Sequence, residues 1–576
     1  MDLLNILSKC WNALYPGYPD ENLKKFVIEI EKVRKKILFQ KHKPEWYKDA
    51  VVYSLYVDQF NRDFKGLEEK LDYLQDLGVN CLWLLPILDS PMKDAGFDIR
   101  NYDLVRTELL GMDLNSTIDE QRQYFRNFLA EAHKRGLKII FDIAINHTSD
   151  EHPWFKESRK TVDNPYRDYY IWSQDTNLYK DARIIFEGLC ESNWQKDGDW
   201  YYFHRFFEFQ PDLNYRNPEV LIAMTRNFLF WLQQGVDGFR GDAIPYIWKE
   251  DGTTCENHPT LHTVVKFFRA VLDYVRPNTL LLAEACQKPH EVVRYFGNGD
   301  ECNAGYHFPL MPMIFKSMAA QSSKPVTQIL STEVTPVIPE AAQWFTFLRC
   351  HDELSLELVY VSEEDRKYIH DHYCKQPLWD FRLGQGVAAR LTELLERDSR
   401  KTGLAFSIML TLPGTPIIYY GDEFGLLNDE TNYREMIKVS GKDDTRFLVR
   451  GRLNWEKTEK ELKDPHTLTA LVYSQVKRMV NTRNHSGCFG RGSIEWIEIF
   501  SKDNKPIDEA LCYTRSHDGE TVLVVHNLSD KHLRLNFPNH LAKQEWSNML
   551  DDAEDTKPLE NLVLDPFAYL WLQKKK

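Results

Sequence analysis

Four short apolar runs in this 576-residue chain end in groups that carry charge or exchange protons. "FDIAINH" carries Asp142, Asn146 and His147; "GFRGD" carries Arg240 and Asp242; "LLLAEA" carries Glu284; "LRCHDE" carries Arg349, His351 and Asp352. A charge taken out of water needs a partner, or it destabilises the fold. A plain ion pair accounts for Arg240 and Asp242 taken alone. It does not account for three carboxylates at the ends of three separate runs, because gathered like charges raise one another's pKa and oppose folding. Such a gathering points to chemistry. Paired carboxyl groups flanking a bond cleave glycosidic linkages: one attacks the anomeric carbon and the other protonates the leaving oxygen.

The elements that must position these groups follow a rhythm. "AVVYSLYV", "VNCLWLLPI", "LKIIFDIAINH", "VDGFRGD", "NTLLLAEAC", "WFTFLRCHDE" and "TPIIYYGDE" read as strands, separated by amphipathic stretches such as "DEQRQYFRNFLAEAHKRG" and "NPEVLIAMTRNFLFWLQQG". Strand and helix alternating over this length predict an α/β fold, the (β/α)8 TIM barrel, whose site lies at the C-terminal strand ends. Residues 20–42 place Leu23, Phe26, Ile30, Val33 and Ile37 on one helical face, within an N-terminal helical extension over 1–45. The catalytic barrel is expected over 46–480. About 147–210, rich in aromatics, Pro and Asp without helical period, reads as an inserted subdomain after the third strand. Short strands from 481 to 576 predict a C-terminal antiparallel β-sandwich domain.

Composition narrows the partners. Hydrophobic residues at 43% and charged residues at 27% are globular values. A net charge of −14 without a long basic block argues against nucleic acid and anionic membranes. No apolar run approaches membrane-spanning length, and the first residues lack a basic stretch with a small-residue cleavage site. The ten cysteines form no CxxC pair, and no zinc-ligand spacing is read among them. A reduced, cytoplasmic protein is the expectation.

"DIAINH", "GFRGD", "LLAEA" and "CHDE" resemble the four short motifs of the α-amylase superfamily, glycoside hydrolase family 13. Longer stretches such as "NPYRDYYIWSQD", "YYFHRFFEFQPDLNYRNP" and "GDECNAGYHFPLMP" are similar to its trehalose synthase subgroup. That resemblance implies a retaining enzyme that interconverts maltose and trehalose through a covalent β-glucosyl intermediate. It implies Asp242 as nucleophile, Glu284 as general acid and then base, and Asp352 as the group favouring ring distortion. Arg240 would orient Asp242, His147 and His351 would donate to the bound glucose, and Asp98 would hold its far hydroxyls. Phe97 would stack on the sugar, and Arg450 in "RGRLNW" would lie near the acceptor. The chain departs from the pattern at Phe97, where tyrosine is usual, at Cys350, where asparagine is usual, and across "RGRLNW".

No cofactor is implied as required. A structural calcium ion at Asn146 and Asp212 is the family's alternative, but an acidic position of that site is Lys249 here, so little or no metal binding is expected. Two further readings stay open: an α-glucosidase or trehalose hydrolase using the same carboxylates with water, and a non-catalytic carbohydrate-binding member.

Overall fold

In a computed structural model, which describes residues 3–37, 42–113, 116–501, 503, 505–551, 556–557, 559–560 and 562–575, eight parallel strands close into a barrel. They are β1 (Val52–Leu55), β2 (Cys81–Leu84), β3 (Lys138–Ala144), β4 (Gly238–Asp242), β5 (Leu280–Ala283), β6 (Ala304–Tyr306), β7 (Gln343–Phe347) and β8 (Thr415–Tyr419). Each strand pairs with its sequence neighbour, and β1 closes the ring on β8. Both faces are covered, the outer one by helices, so these strands read as continuous apolar runs rather than alternating ones. Seven were legible in that way. The sixth was not, because Ala304–Tyr306 is three residues long and includes a glycine.

The N-terminal extension forms two helices, α1 (Leu3–Leu14) and α2 (Glu21–Lys36). The second is shorter than the 20–42 expected, and residues 38–41 lie outside the described residues. Its Leu23, Phe26, Ile30 and Val33 are buried. Both helices pack on the barrel through α3 (Pro218–Gln234) and α4 (Pro259–Val275). A bidentate Arg226–Glu29 pair and the Tyr15 hydroxyl, which donates to the Tyr215 carbonyl at 3.0 Å, fix the packing. The first helix went unread in the sequence.

Between β3 and β4 the chain makes its own three-stranded antiparallel sheet from Trp172–Ser173, Trp200–Phe203 and Trp194–Asp197. After the barrel, a six-stranded antiparallel sheet and a two-stranded one enclose a second apolar core around Leu523, Val525, Leu535, Trp546 and Leu572. Among the described residues no helix is long and apolar enough to cross a membrane.

The approach to β4 decides where the site groups stand. Helix α3 starts on Asn217, whose side chain accepts from the Glu219 N–H at 3.0 Å, and ends on Gly235 at φ 111°, a left-handed turn that glycine makes without strain. Gly238 then lets β4 sit tightly between its neighbours: a Cβ there would lie 2.7 Å from the Leu280 carbonyl oxygen and 3.1 Å from Ile140 Cγ2. Gly238→Ala is therefore expected to overpack this junction and to cost about 1–3 kcal/mol in urea unfolding. An unchanged unfolding midpoint would show that the strand has room to move.

Candidate active site

The register of β3 against β4 places Asp142 beside Arg240 and Ala144 beside Asp242. Residues two apart on a strand face the same side, so Arg240 and Asp242 both point into the barrel mouth. One guanidinium nitrogen, Arg240 Nη1, lies 2.6 Å from Asp142 Oδ1 and 2.7 Å from Asp242 Oδ1. The other Asp142 oxygen accepts from the Trp83 indole at 2.8 Å. Burial pushes the Asp142 carboxyl up to about 7 despite Arg240, with Asp242 adding to the rise. Burial alone would lower Arg240, but Asp142, Tyr306, Asp242 and Glu284 together hold it well above its ordinary value. It stays charged.

Glu284 follows β5, and its N–H continues the sheet ladder to the Gly241 carbonyl at 3.1 Å. Its two oxygens differ. Oε2 accepts from the Ala243 N–H at 2.9 Å, and Oε1 accepts from the Cys286 thiol at 3.1 Å. Ala243 aims that N–H from a left-handed conformation (φ 58°), uncommon for a residue with a Cβ and here directly after Asp242. Burial raises the Glu284 pKa; Arg240 opposes the rise, Asp242 adds to it, and the two hydrogen bonds to the ionised form lower it.

Asp352 stands in the opposite environment. Burial would raise its carboxyl, but the charges around it, Arg446, Arg450 and Arg240 among them, hold it well below the usual range. Arg446 Nη1 and Arg450 Nη2 reach Asp352 Oδ1 at 3.1 and 3.2 Å. Burial drives His351 down to about 3, so at neutral pH the imidazole is uncharged and the cations facing Asp352 are arginines. Arg349 donates to the Asp352 and Ala389 carbonyls, both at 2.7 Å, and fixes the backbone beneath.

Arg240, Asp242, Glu284, Cys286, His351, Asp352, Arg446 and Arg450 line one cavity of about 120 Å³, with Phe97, His147, Phe186, Phe206, Phe308, Phe347 and Phe381 among its walls. The Phe97 ring stacks on His351 at 5.4 Å between centroids. His147 is buried, which lowers its pKa. Asp98 does not reach the cavity, contrary to the sequence-based expectation. Its carboxylate is consumed within its own loop by Ser90 Oγ and the N–H groups of Lys93 and Asp94, at 2.9, 3.0 and 3.1 Å, and burial pushes it up to about 6. Asp94, four residues earlier, lines the pocket instead and accepts from Gln210 Nε2 at 3.0 Å. Arg446 was also missed; its signal was the four-residue spacing to Arg450 in "TRFLVRG", where a short 3₁₀ helix, Thr445–Val449, carries the first and is capped by the second.

Asn146 and Asp212 meet as expected, but the space between them belongs to a side chain. The buried Lys249 ammonium lies 2.6 Å from Asn146 Oδ1, 2.9 Å from Asp212 Oδ2 and 3.5 Å from the Leu213 carbonyl. The other Asp212 oxygen accepts from the Arg205 N–H at 3.0 Å. This set does not fit a calcium ion, which needs six to eight oxygens around an unoccupied centre.

Residues 54–473 match the family described as alpha amylase, catalytic domain, and residues 502–571 match the maltogenic amylase C-terminal domain. The trehalose synthase/amylase TreS of Mycobacterium tuberculosis is 40% identical over 538 residues, covering 88% of this chain and 85% of that one. The trehalose synthase of a Pimelobacter species is 38% identical over 527 residues, covering 84% and 87%. Among solved structures, the trehalulose synthase MutB of Pseudomonas mesoacidophila is similar at a TM-score of 0.67 and 25% identity, covering 93% of this chain and all of that one.

Two outcomes follow from the geometry. Cys286→Ala removes a donor that favours ionised Glu284, so the alkaline limb of the kcat/KM profile should move to higher pH, while Cys286→Ser should stay near the wild type. Coincident limbs in all three proteins would remove the thiol from this role. Lys249→Ala leaves Asp212 buried and unpaired, which should cost about 3–5 kcal/mol, whereas added Ca²⁺ should leave the wild-type melting temperature unchanged. A calcium-induced rise would mean that a calcium ion, not Lys249, holds this corner.

Proposed function

The chain belongs to the α-amylase family, glycoside hydrolase family 13, and from that premise we propose that it interconverts maltose and trehalose by glucosyl transfer inside a closed pocket. The carrying observation is the asymmetry among its carboxyl groups: Asp242 is bound to a permanent cation, while Glu284 is held toward its protonated form. In this reading the Asp242 carboxylate attacks the anomeric carbon as Glu284 passes its proton to the glycosidic oxygen. The bond breaks, glucose is freed and a β-glucosyl ester forms. Glu284, now a carboxylate, takes a proton from a hydroxyl of the same glucose, which attacks the ester and leaves the second α-linkage. Attack through the 1-hydroxyl gives trehalose, and attack through the 4-hydroxyl returns maltose. Two inversions retain the configuration. Asp352, ionised between two arginines, faces the charge that develops on the ring. No cofactor enters these steps, and a cytoplasmic location suits the free thiols.

Transfer rather than hydrolysis requires that glucose turn over before water arrives. Support for that comes from the roof. Arg382, in the loop after β7, donates to the Ile185 carbonyl of the inserted segment and lies 3.4 Å from Glu357. Arg183 of that segment faces Glu357 at 3.8 Å and Glu256 at 2.8 Å, and Lys442 pairs with Glu208 at 3.1 Å. The Arg446 guanidinium covers the Phe186 ring at 5.3 Å. Four loops are thus clasped over the cavity.

Proton NMR of the purified protein with maltose, and separately with trehalose, tests the reading. The other disaccharide should appear with minor free glucose; glucose alone would establish the hydrolase instead, and no change would remove both substrates. Asp242→Asn should lower turnover roughly 10⁴-fold or more. Arg382→Ala, which opens the roof without touching the carboxyl groups, should raise the fraction of glucose released per disaccharide formed. An unaltered ratio would show that the clasp does not exclude water.

A further inference from the structure

Away from the catalytic pocket, three groups with metal-ligand chemistry converge at the end of helix α5 (Glu363–Tyr373). The helix starts on Ser362, whose side chain accepts from the Asp365 N–H, and its C-cap residue is Cys374. His370 and Cys374 are four apart, so they lie on one face of the last turn. The chain then doubles back through the turn Pro377–Trp379 and brings Asp380, the first residue of the two-residue strand Asp380–Phe381, against that face. One nitrogen of His370, the sulfur of Cys374 and one oxygen of Asp380 all lie within 4.8 Å of one another. His370 Nε2 is 2.8 Å from Asp380 Oδ1.

From this convergence we propose that His370, Cys374 and Asp380 form a binding site for a borderline-soft divalent cation, Zn²⁺ in particular. Bond lengths of about 2.0–2.3 Å at tetrahedral angles separate neighbouring zinc ligands by roughly 3.3–3.8 Å. The His370–Asp380 pair, at 2.8 Å, therefore has to open to that spacing, and the sulfur already lies within 4.8 Å of both partners. Coordination replaces the His370–Asp380 hydrogen bond by two bonds to the metal, and the Cys374 thiol gives up its proton to solvent as the thiolate binds. The side chains of His370 and Asp380 are 24% and 34% exposed, which leaves an entry path and a water for the fourth position. Imidazole and thiolate select zinc or cobalt over calcium and magnesium. The His370–Asp380 pair would staple helix to strand without any metal; the Cys374 sulfur beside it takes no part in that pair, and its thiol donates to the Gln376 carbonyl at 3.5 Å.

The position ties the site to the pocket wall. Asp380 is followed directly by Phe381 and Arg382, both of which line the catalytic cavity. Its carbonyl accepts from Thr445 Oγ1 at 3.1 Å, in the short helix that also carries Arg446. A cation at Asp380 would anchor the base of the roof clasp.

No paired cysteines mark this site in the sequence. Here one ligand comes from a strand six residues beyond the helix pair, and only the reversal of the chain assembles the set. The test is titration of the full-length, metal-stripped protein with Co²⁺, following the sulfur-to-cobalt charge-transfer absorption, with Zn²⁺ as competitor. One equivalent should saturate the band, Zn²⁺ should abolish it, and Cys374→Ser should remove it. His370→Ala and Asp380→Asn should weaken binding about tenfold or more. Maltose turnover of metal-free Cys374→Ser should equal that of the metal-free wild type, which shows that the variant is folded. No saturable band in the wild type, or an undiminished band in Cys374→Ser, would overturn the site.

Discussion

The arrangement depends on a single buried guanidinium shared by two carboxylates. Arg240 supplies one positive charge to Asp142 and Asp242 together, and the register between β3 and β4 sets it beside both. One cation cannot neutralise two anions, so proton affinity rises among the neighbours: burial takes Asp142 to about 7 and pushes Glu284 upward as well. Across the cavity the balance reverses, with two arginines on the single carboxylate of Asp352. A carboxyl-rich side and an arginine-rich side thus divide the pocket. Groups of one chemical type acquire distinct roles through surroundings that push their pKa values apart.

This division needs a dry cavity, because charge–charge effects of this size fade in water. The inserted segment and the loops after β7 and β8 supply the cover, joined by Arg183–Glu357, Arg382–Ile185 and Lys442–Glu208, which run between loops rather than within them. The lower corner of the site is held differently. Lys249 binds Asn146 and Asp212, and Asn146 precedes His147, so an internal ammonium fixes the backbone from which a pocket histidine projects. A covalently attached cation cannot be lost to dilution.

Much of this was visible in the sequence, and the gaps have physical causes. Fully buried strands announce themselves as apolar runs, and their polar ends identified Asp242, Glu284, Asp352, Arg240, His147 and His351 as one mouth. Length set the limit for Ala304–Tyr306, which is too short to form a run. Asp94 and Asp98 share one loop and one residue type. Which of them faces the cavity depends on which is consumed by backbone N–H groups, and sequence does not record that. Arg382 acts from a loop whose closure over the barrel is a tertiary property, so no local pattern marks it, and Arg446 carried no signal beyond its spacing to Arg450. Cys286 was visible as a neighbour of Glu284, but that its thiol meets one oxygen while a strained Ala243 meets the other follows from geometry alone.

The central claim is that Arg240 makes Asp242, and none of the other carboxyl groups, the nucleophile. Its most direct test is to incubate the protein with a ring-fluorinated α-glucosyl fluoride, which forms a glycosyl ester faster than it is released, and to map the labelled peptide by mass spectrometry. The account predicts one sugar per chain, attached at Asp242. A label on Asp142, Glu284 or Asp352, or fluoride release with no covalent label, would contradict it.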